Sequence, residues 1–160
     1  MTEINFTGHK KTISYSGIFD EKEVYSILKN RFVNLNYDLG EAVQDVTVRE
    51  EKNAFIKWEA FKKIDDYTKK RIRITIKIKV EDEVIKNKKK IIDGTISVSM
   101  EGLLVKDYDA RWEQNILMKV FRAMYDNWIA KSRFDEHSDA VGADINLALD
   151  EVKSYLKIKK

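Results

Sequence analysis

RIRITIKIKV, residues 71–80, decides the fold. Arg71, Arg73, Thr75, Lys77 and Lys79 alternate with Ile72, Ile74, Ile76, Ile78 and Val80. A period of two belongs to a β-strand, whose successive side chains leave opposite faces. One face of this strand is apolar and the other basic. That pattern predicts a strand in a sheet covered on one side only.

Working outward, AVQDVTVRE (42–50) puts Val46 and Val48 on one face, and Asp45 and Arg49 are assigned to the polar one. AFIKWEAFKKI (54–64) puts Ala54, Ile56, Trp58 and Ala60 against Phe55, Lys57, Glu59 and Phe61. The quoted strand is predicted to run to about Val84. DGTISVSMEGLLV (93–105) sets Gly94, Ile96, Val98, Met100 and Gly102 against Thr95, Ser97, Ser99 and Glu101. The connectors EKN, DDYTKK and NKKK are short, so consecutive strands are antiparallel neighbours in a four-strand meander.

Before the meander, HKKTISYSG (9–17) alternates as a further strand. Asp20 with Glu23 three residues on is an N-cap and capping-box signal. Val24, Ile27, Leu28, Phe32 and Leu35 then follow helical spacing, interrupted only by Arg31. After the meander, Asp109 is predicted to cap a helix carrying Trp112, Ile116, Leu117, Val120, Phe121, Met124 and Trp128. That stripe is predicted to lie on the sheet. HSDAVG reads as a polar break, and a last helix carries Ile145, Leu149, Val152 and Leu156. The order β-α-β-β-β-β-α-α predicts an α+β two-layer sandwich. Its antiparallel sheet has about five strands, with helices packed on one face in a helix-grip-like arrangement. Residues 1–160 read as a single domain, with a short N-terminal segment (1–8) and a basic C-terminal tail (157–160).

Composition narrows the function. The chain has no cysteine, which excludes disulfides, thiolate catalysis and Cys-based metal sites. Its net charge is only +3, from 30 basic and 27 acidic residues, so a nucleic-acid reading must rest on clustering. The N-terminus is polar, and no apolar run approaches the roughly 18 residues needed to span a bilayer. A cytoplasmic, non-membrane protein is the expectation. No GxGxxG, P-loop or nucleophile elbow is present, and no cofactor is implied.

The polar sheet face carries the strongest signal. It is predicted to hold Arg49, Phe55, Lys57, Phe61, Arg71, Arg73, Lys77 and Lys79, with Lys86, Lys88, Lys89 and Lys90 in an adjoining loop. Clustered cations suit phosphates, and outward aromatics suit unpaired bases. The same face can also be read as solvated, or as a two-fold interface in which Lys57 meets Glu59 and Arg49 meets Glu101. Asp65, Asp66, Asp107 and Asp109 gather at one end of the sheet, but turns and helix caps account for them. His9 and His137 lack ligand spacing. Trp112, Phe121, Tyr125, Trp128 and Phe134 read as core, or as the wall of an apolar ligand cavity.

YSGIFDEKEVYSILKNR, WEAFKKIDDYTKKRIRITIKI and FRAMYDNWIAKSRFDE resemble stretches of a group of small conserved archaeal proteins, mostly of unassigned function, over roughly residues 10–157. The resemblance implies an archaeal cytosolic protein and translation-associated roles, such as a ribosome-binding or hibernation-type factor. It carries over no catalytic residue. The reading is therefore a non-enzymatic protein that contacts RNA or a ribosomal subunit through its basic sheet face. The alternatives are a homodimer built on that face and a helix-grip carrier of an apolar ligand.

Overall fold

Ile72, Ile74, Ile76 and Ile78 are each 3% exposed or less and form the middle of the core. The computed structural model describes residues 3–39, 46–50, 53–65, 68–106, 117, 120–121, 123–124 and 130–157. The isoleucines belong to β4 (Thr68–Lys86), which lies between β3 (Asn53–Lys63) and β5 (Lys89–Lys106). β2 (Val46–Glu50) forms one edge and β1 (Glu3–Phe19) the other, in the order β1-β5-β4-β3-β2. All pairings are antiparallel. The antiparallel α+β class read from alternation holds. The place of β1 beside β5 is one that alternation does not assign.

Two helices cover the inner face. Asp20 caps α1 (Glu21–Asn34), its carboxylate accepting from the Lys22 and Glu23 amides. Val24, Leu28 and Phe32 of α1 are buried, as are Val141, Ile145, Ala148, Leu149, Val152 and Leu156 of α2 (Ala130–Leu156). Arg31, the interruption in the α1 stripe, reaches α2, with Nε 2.8 Å from Glu151 Oε2 and Nη2 2.7 Å from Oε1. That bidentate pair raises the Arg31 pKa and ties the helices together.

Three expectations need correcting. HSDAVG does not break the helix, because α2 is continuous through it. Gly142 is there for close packing: a Cβ on it would stand 2.8 Å from the His9 ring. The stripe expected on the sheet is also misplaced. Leu117, Val120, Phe121 and Met124 are helical, and all four are exposed. Trp112, Ile116, Tyr125, Trp128, Asp45, Asp66, Asp107 and Asp109 lie outside the described residues.

The third correction concerns the KNKKK loop. Lys86 pairs with Lys89, and only Asn87 and Lys88 turn the chain, with φ of 53° and 63°. Positive φ at both central residues suits a right-twisted two-residue hairpin. β3 stops pairing at Lys79 and β1 stops at Ile92, so the remaining pairs extend as a two-stranded arm. At its base the register slips: Val80 faces Gly94, whereas Asp82 faces Asp93. The extra residue reverses the alternation of β4. Val84 therefore faces outward opposite Ile91, and it is 54% exposed. Gly94 is what allows the bulge, since a Cβ there would lie 2.1 Å from the Lys79 carbonyl oxygen.

Candidate nucleic-acid interface

The antiparallel register sets out the outer face row by row. Lys10, Glu101, Arg73 and Glu59 form one row, and Thr12, Ser99, Thr75 and Lys57 the next. Then come Ser14, Ser97, Lys77 and Phe55, followed by Ser16, Thr95, Lys79 and Asn53. Hydroxyls line the β1–β5 side, where Thr12 donates to Ser99 at 3.0 Å and Ser16 lies 3.1 Å from Thr95. Cations line the β3–β4 side.

These cations divide into two groups. Glu59, 5% exposed, accepts from Arg71 Nε at 2.8 Å and from Arg73 Nε at 3.2 Å. Arg73 also approaches Glu101 at 4.0 Å. A carboxylate so buried needs both guanidinium groups, and they are held to it in turn. Phe61 is occupied as well. Lys69 Nζ stands 4.4 Å and Arg71 Cζ 5.5 Å from its ring centroid, and its backbone exchanges hydrogen bonds with Asp38. Arg71, Arg73 and Phe61 thus form a self-contained cluster. Glu59, committed to it, is not on offer to Lys57 of a second copy.

Lys57, Lys77 and Lys79 are exposed and make no ion pair with described residues. Beside them is a groove of about 550 Å³ lined by Asn53, Phe55, Lys77, Lys79, Thr95 and Ser97, with no acidic residue among its described lining. Phe55 is half-buried in it, directly opposite Lys77. Arg49 does not join this group. In the β2–β3 register it stands opposite Ala54, whereas Val48 stands opposite Phe55. On the arm, Lys86, Lys88 and Lys89 are exposed without ion pairs among described residues, while Lys90 binds Glu83 at 2.9 Å. The groove and the arm lysines are separated by Asp82 and Asp93, which face each other across the strands.

A second polar cluster lies inside, where the sequence reading did not look. Lys70 falls on the isoleucine side of β4 and is 9% exposed. Its Nζ is 3.7 Å from Asp144 Oδ2 on α2, and the Tyr37 hydroxyl donates to the same oxygen at 2.6 Å. Burial lowers the Lys70 pKa, with Asp144 opposing the shift. Burial first, and the bond to Asp144 second, raise that of Tyr37. The signal was available, because the even-numbered positions of β4 place Lys70 in step with Ile72 and Ile74.

The remaining candidates are accounted for by local structure. Asp65 Oδ1 accepts from the Thr68 amide at 2.6 Å, closing a turn. His9 packs on α2, with Nε2 3.9 Å from Asp139 Oδ1. His137 and Phe134 line a small hollow beside Asp65 and Lys106, whose Nζ stands 5.6 Å from the Phe134 ring centroid. Among the described residues no cluster of three metal-ligating side chains occurs, and no helix is long and apolar enough to cross a membrane. Comparison with protein-family models, with curated proteins and with solved structures finds no match to this chain.

Proposed function

We propose that the chain is a non-enzymatic cytoplasmic binding module that takes RNA on the outer face of its sheet, either free or displayed by a ribonucleoprotein such as a ribosomal subunit. The observation that carries this reading is the groove holding Phe55, Lys77 and Lys79, with no acid among its described lining and Lys57 one row away. Lysines that meet phosphates displace the counterions condensed on the nucleic acid, and a ring beside them offers a surface for a base. The assumed architecture is helix-grip-like. It is supported by the 27-residue α2, which packs against β1, β4, β5 and α1.

The test is co-sedimentation with ribosomes, and binding of labelled RNA, at low and high salt for wild type and the Lys77→Glu/Lys79→Glu double variant. Salt-sensitive binding that the variant loses is the expected outcome. Unchanged binding in the variant at low salt would remove the outer face from consideration.

A homodimer is favoured by a different surface from the one first considered. Leu117, Val120, Phe121 and Met124, spaced for one side of a helix, are 71%, 56%, 59% and 57% exposed. Covering them with a second copy would remove a sizeable apolar stripe from water. Mass in solution for wild type and Phe121→Asp checks this, and a wild-type monomer at micromolar concentration rejects it.

A further inference from the structure

The Phe55 groove differs from a generally basic surface in containing an aromatic ring, two cations and uncommitted hydrogen-bonding groups at fixed intervals. Lys77 is in the cross-strand position opposite Phe55, about 5 Å away between Cα atoms. Lys79 lies two residues further along the same face, about 6.6 Å on. Ser97 stands opposite Lys77, and Asn53 opposite Lys79. Neither Ser97 nor Asn53 makes a side-chain hydrogen bond with described residues. One row beyond Lys79, the facing carboxylates of Asp82 and Asp93 close the groove to further negative charge on the arm side. The arm side is thus unfavourable to a phosphate chain, and Lys57, one row beyond Phe55, offers a further cation on the opposite side.

We propose that this groove is a subsite for one unstacked nucleotide unit, its base against Phe55, its phosphates on Lys77 and Lys79, and its polar edge met by Ser97 and Asn53. The proposal rests on the reading of the outer face as an RNA surface and narrows it. A duplex keeps its bases stacked and offers mainly backbone, so the ring of Phe55 would gain nothing from it. An unpaired nucleotide uses the ring, the lysines and the hydrogen-bonding groups together. The unit is supplied either by a single strand or by a free nucleotide.

Fluorescence anisotropy tests this with a labelled ten-nucleotide single-stranded RNA, a duplex of the same sequence, and nucleoside monophosphates as competitors. The proteins are wild type, Phe55→Ala, Phe55→Trp and Lys77→Glu/Lys79→Glu. The expected result is a preference of about tenfold or more for the single strand. Phe55→Ala should lose about tenfold on the single strand and nothing on the duplex, while Phe55→Trp keeps wild-type affinity. Phe55→Trp guards against misreading a folding defect in Phe55→Ala. Displacement by monophosphate assigns the subsite to free nucleotides; no displacement, with single-strand binding intact, assigns it to a strand. Equal affinity for strand and duplex, unaffected by Phe55→Ala but lost in the lysine variant, overturns the nucleotide subsite and leaves the broader RNA reading standing. No binding of either RNA at low salt, with no monophosphate binding, overturns both.

Discussion

Arg71 and Arg73 share a strand and a face with Lys77 and Lys79, yet the two pairs have different surroundings. At the arginine end, Glu59 is buried beneath two guanidinium groups, and Phe61 lies against Lys69 and Arg71. At the lysine end, directly opposite neighbours are Phe55, Asn53, Ser97 and Thr95, and among the described residues no carboxylate pairs with these lysines. The difference originates on β3, where residue 59 is an acid and residues 53 and 55 are not. Counting cations on a face therefore overstates what a partner meets. The count that matters is what remains after the neighbouring strand has taken its share.

This contrast can be broken in several places. The largest effect belongs to the bulge that ends the lysine half. Gly94→Val drives a side chain into the Lys79 carbonyl and should cost about 3–4 kcal/mol in urea unfolding, the sheet shifting to make room. A loss below about 1 kcal/mol would mean that the bulge relaxes freely.

Glu59→Gln comes next. It leaves two guanidinium groups short of their anion, at a cost of about 2 kcal/mol; both arginines keep partial access to water, which holds the figure down. RNA affinity in this variant should not fall, because the arginines it releases add positive charge to the face. A fall in affinity without loss of stability would show that Glu59 itself belongs to the binding surface.

Lys70 supplies a pH test on the inner side of the same strand. Its pKa is lowered in the folded protein, so the unfolded chain binds the proton more readily, and folding grows more favourable as pH rises from the folded value toward 10.5. Tyr37, whose pKa is raised, has the opposite effect, losing stability above its ordinary value of 10.0. As pH rises from the folded value of Lys70 toward the ordinary tyrosine value of 10.0, the lysine effect should dominate. Urea midpoints should rise less over that range in Lys70→Met than in wild type, with Asp144 still held by Tyr37. An unchanged slope would remove Lys70 as the cause.

The smallest stability effect is at the free end. Lys77→Ala should alter stability by no more than about 0.5 kcal/mol, yet lower the salt dependence of RNA binding by about one counterion. Arg73→Ala should show the reverse balance, and that pair of measurements sharpens the contrast most directly.

Much of the framework was legible because alternation is local. Asp20 announced α1, and the β3–β5 meander followed from its parity and short connectors. The errors arose where one residue changes the phase or a distant element intervenes. The extra residue at the arm base turned Val84 outward, and β2 paired with Arg49 opposite Ala54, contrary to its apparent parity. HSDAVG looked like a break because it is polar, whereas α2 runs through it and the missing side chain of Gly142 admits His9. The outer face was half legible. Alternation placed Lys77, Lys79 and Phe55 on one face, where they stand, but the capture of Arg71 and Arg73 required the register that sets Glu59 opposite Arg73.

The edge position of β1 bears on how the chain reaches this structure at all. Glu3 finds its partner at Lys106, and Phe19 at Ile92. On a ribosome, the first strand emerges long before the strand it will join, and a closure this long is slow. Through that interval α1 and the β2–β3 hairpin can form locally. The isoleucine row of β4 must wait for α2, which follows it in the chain, before it is sealed from water. A chaperone that recognises exposed aliphatic strands would find its target in that window, on the face that becomes the core.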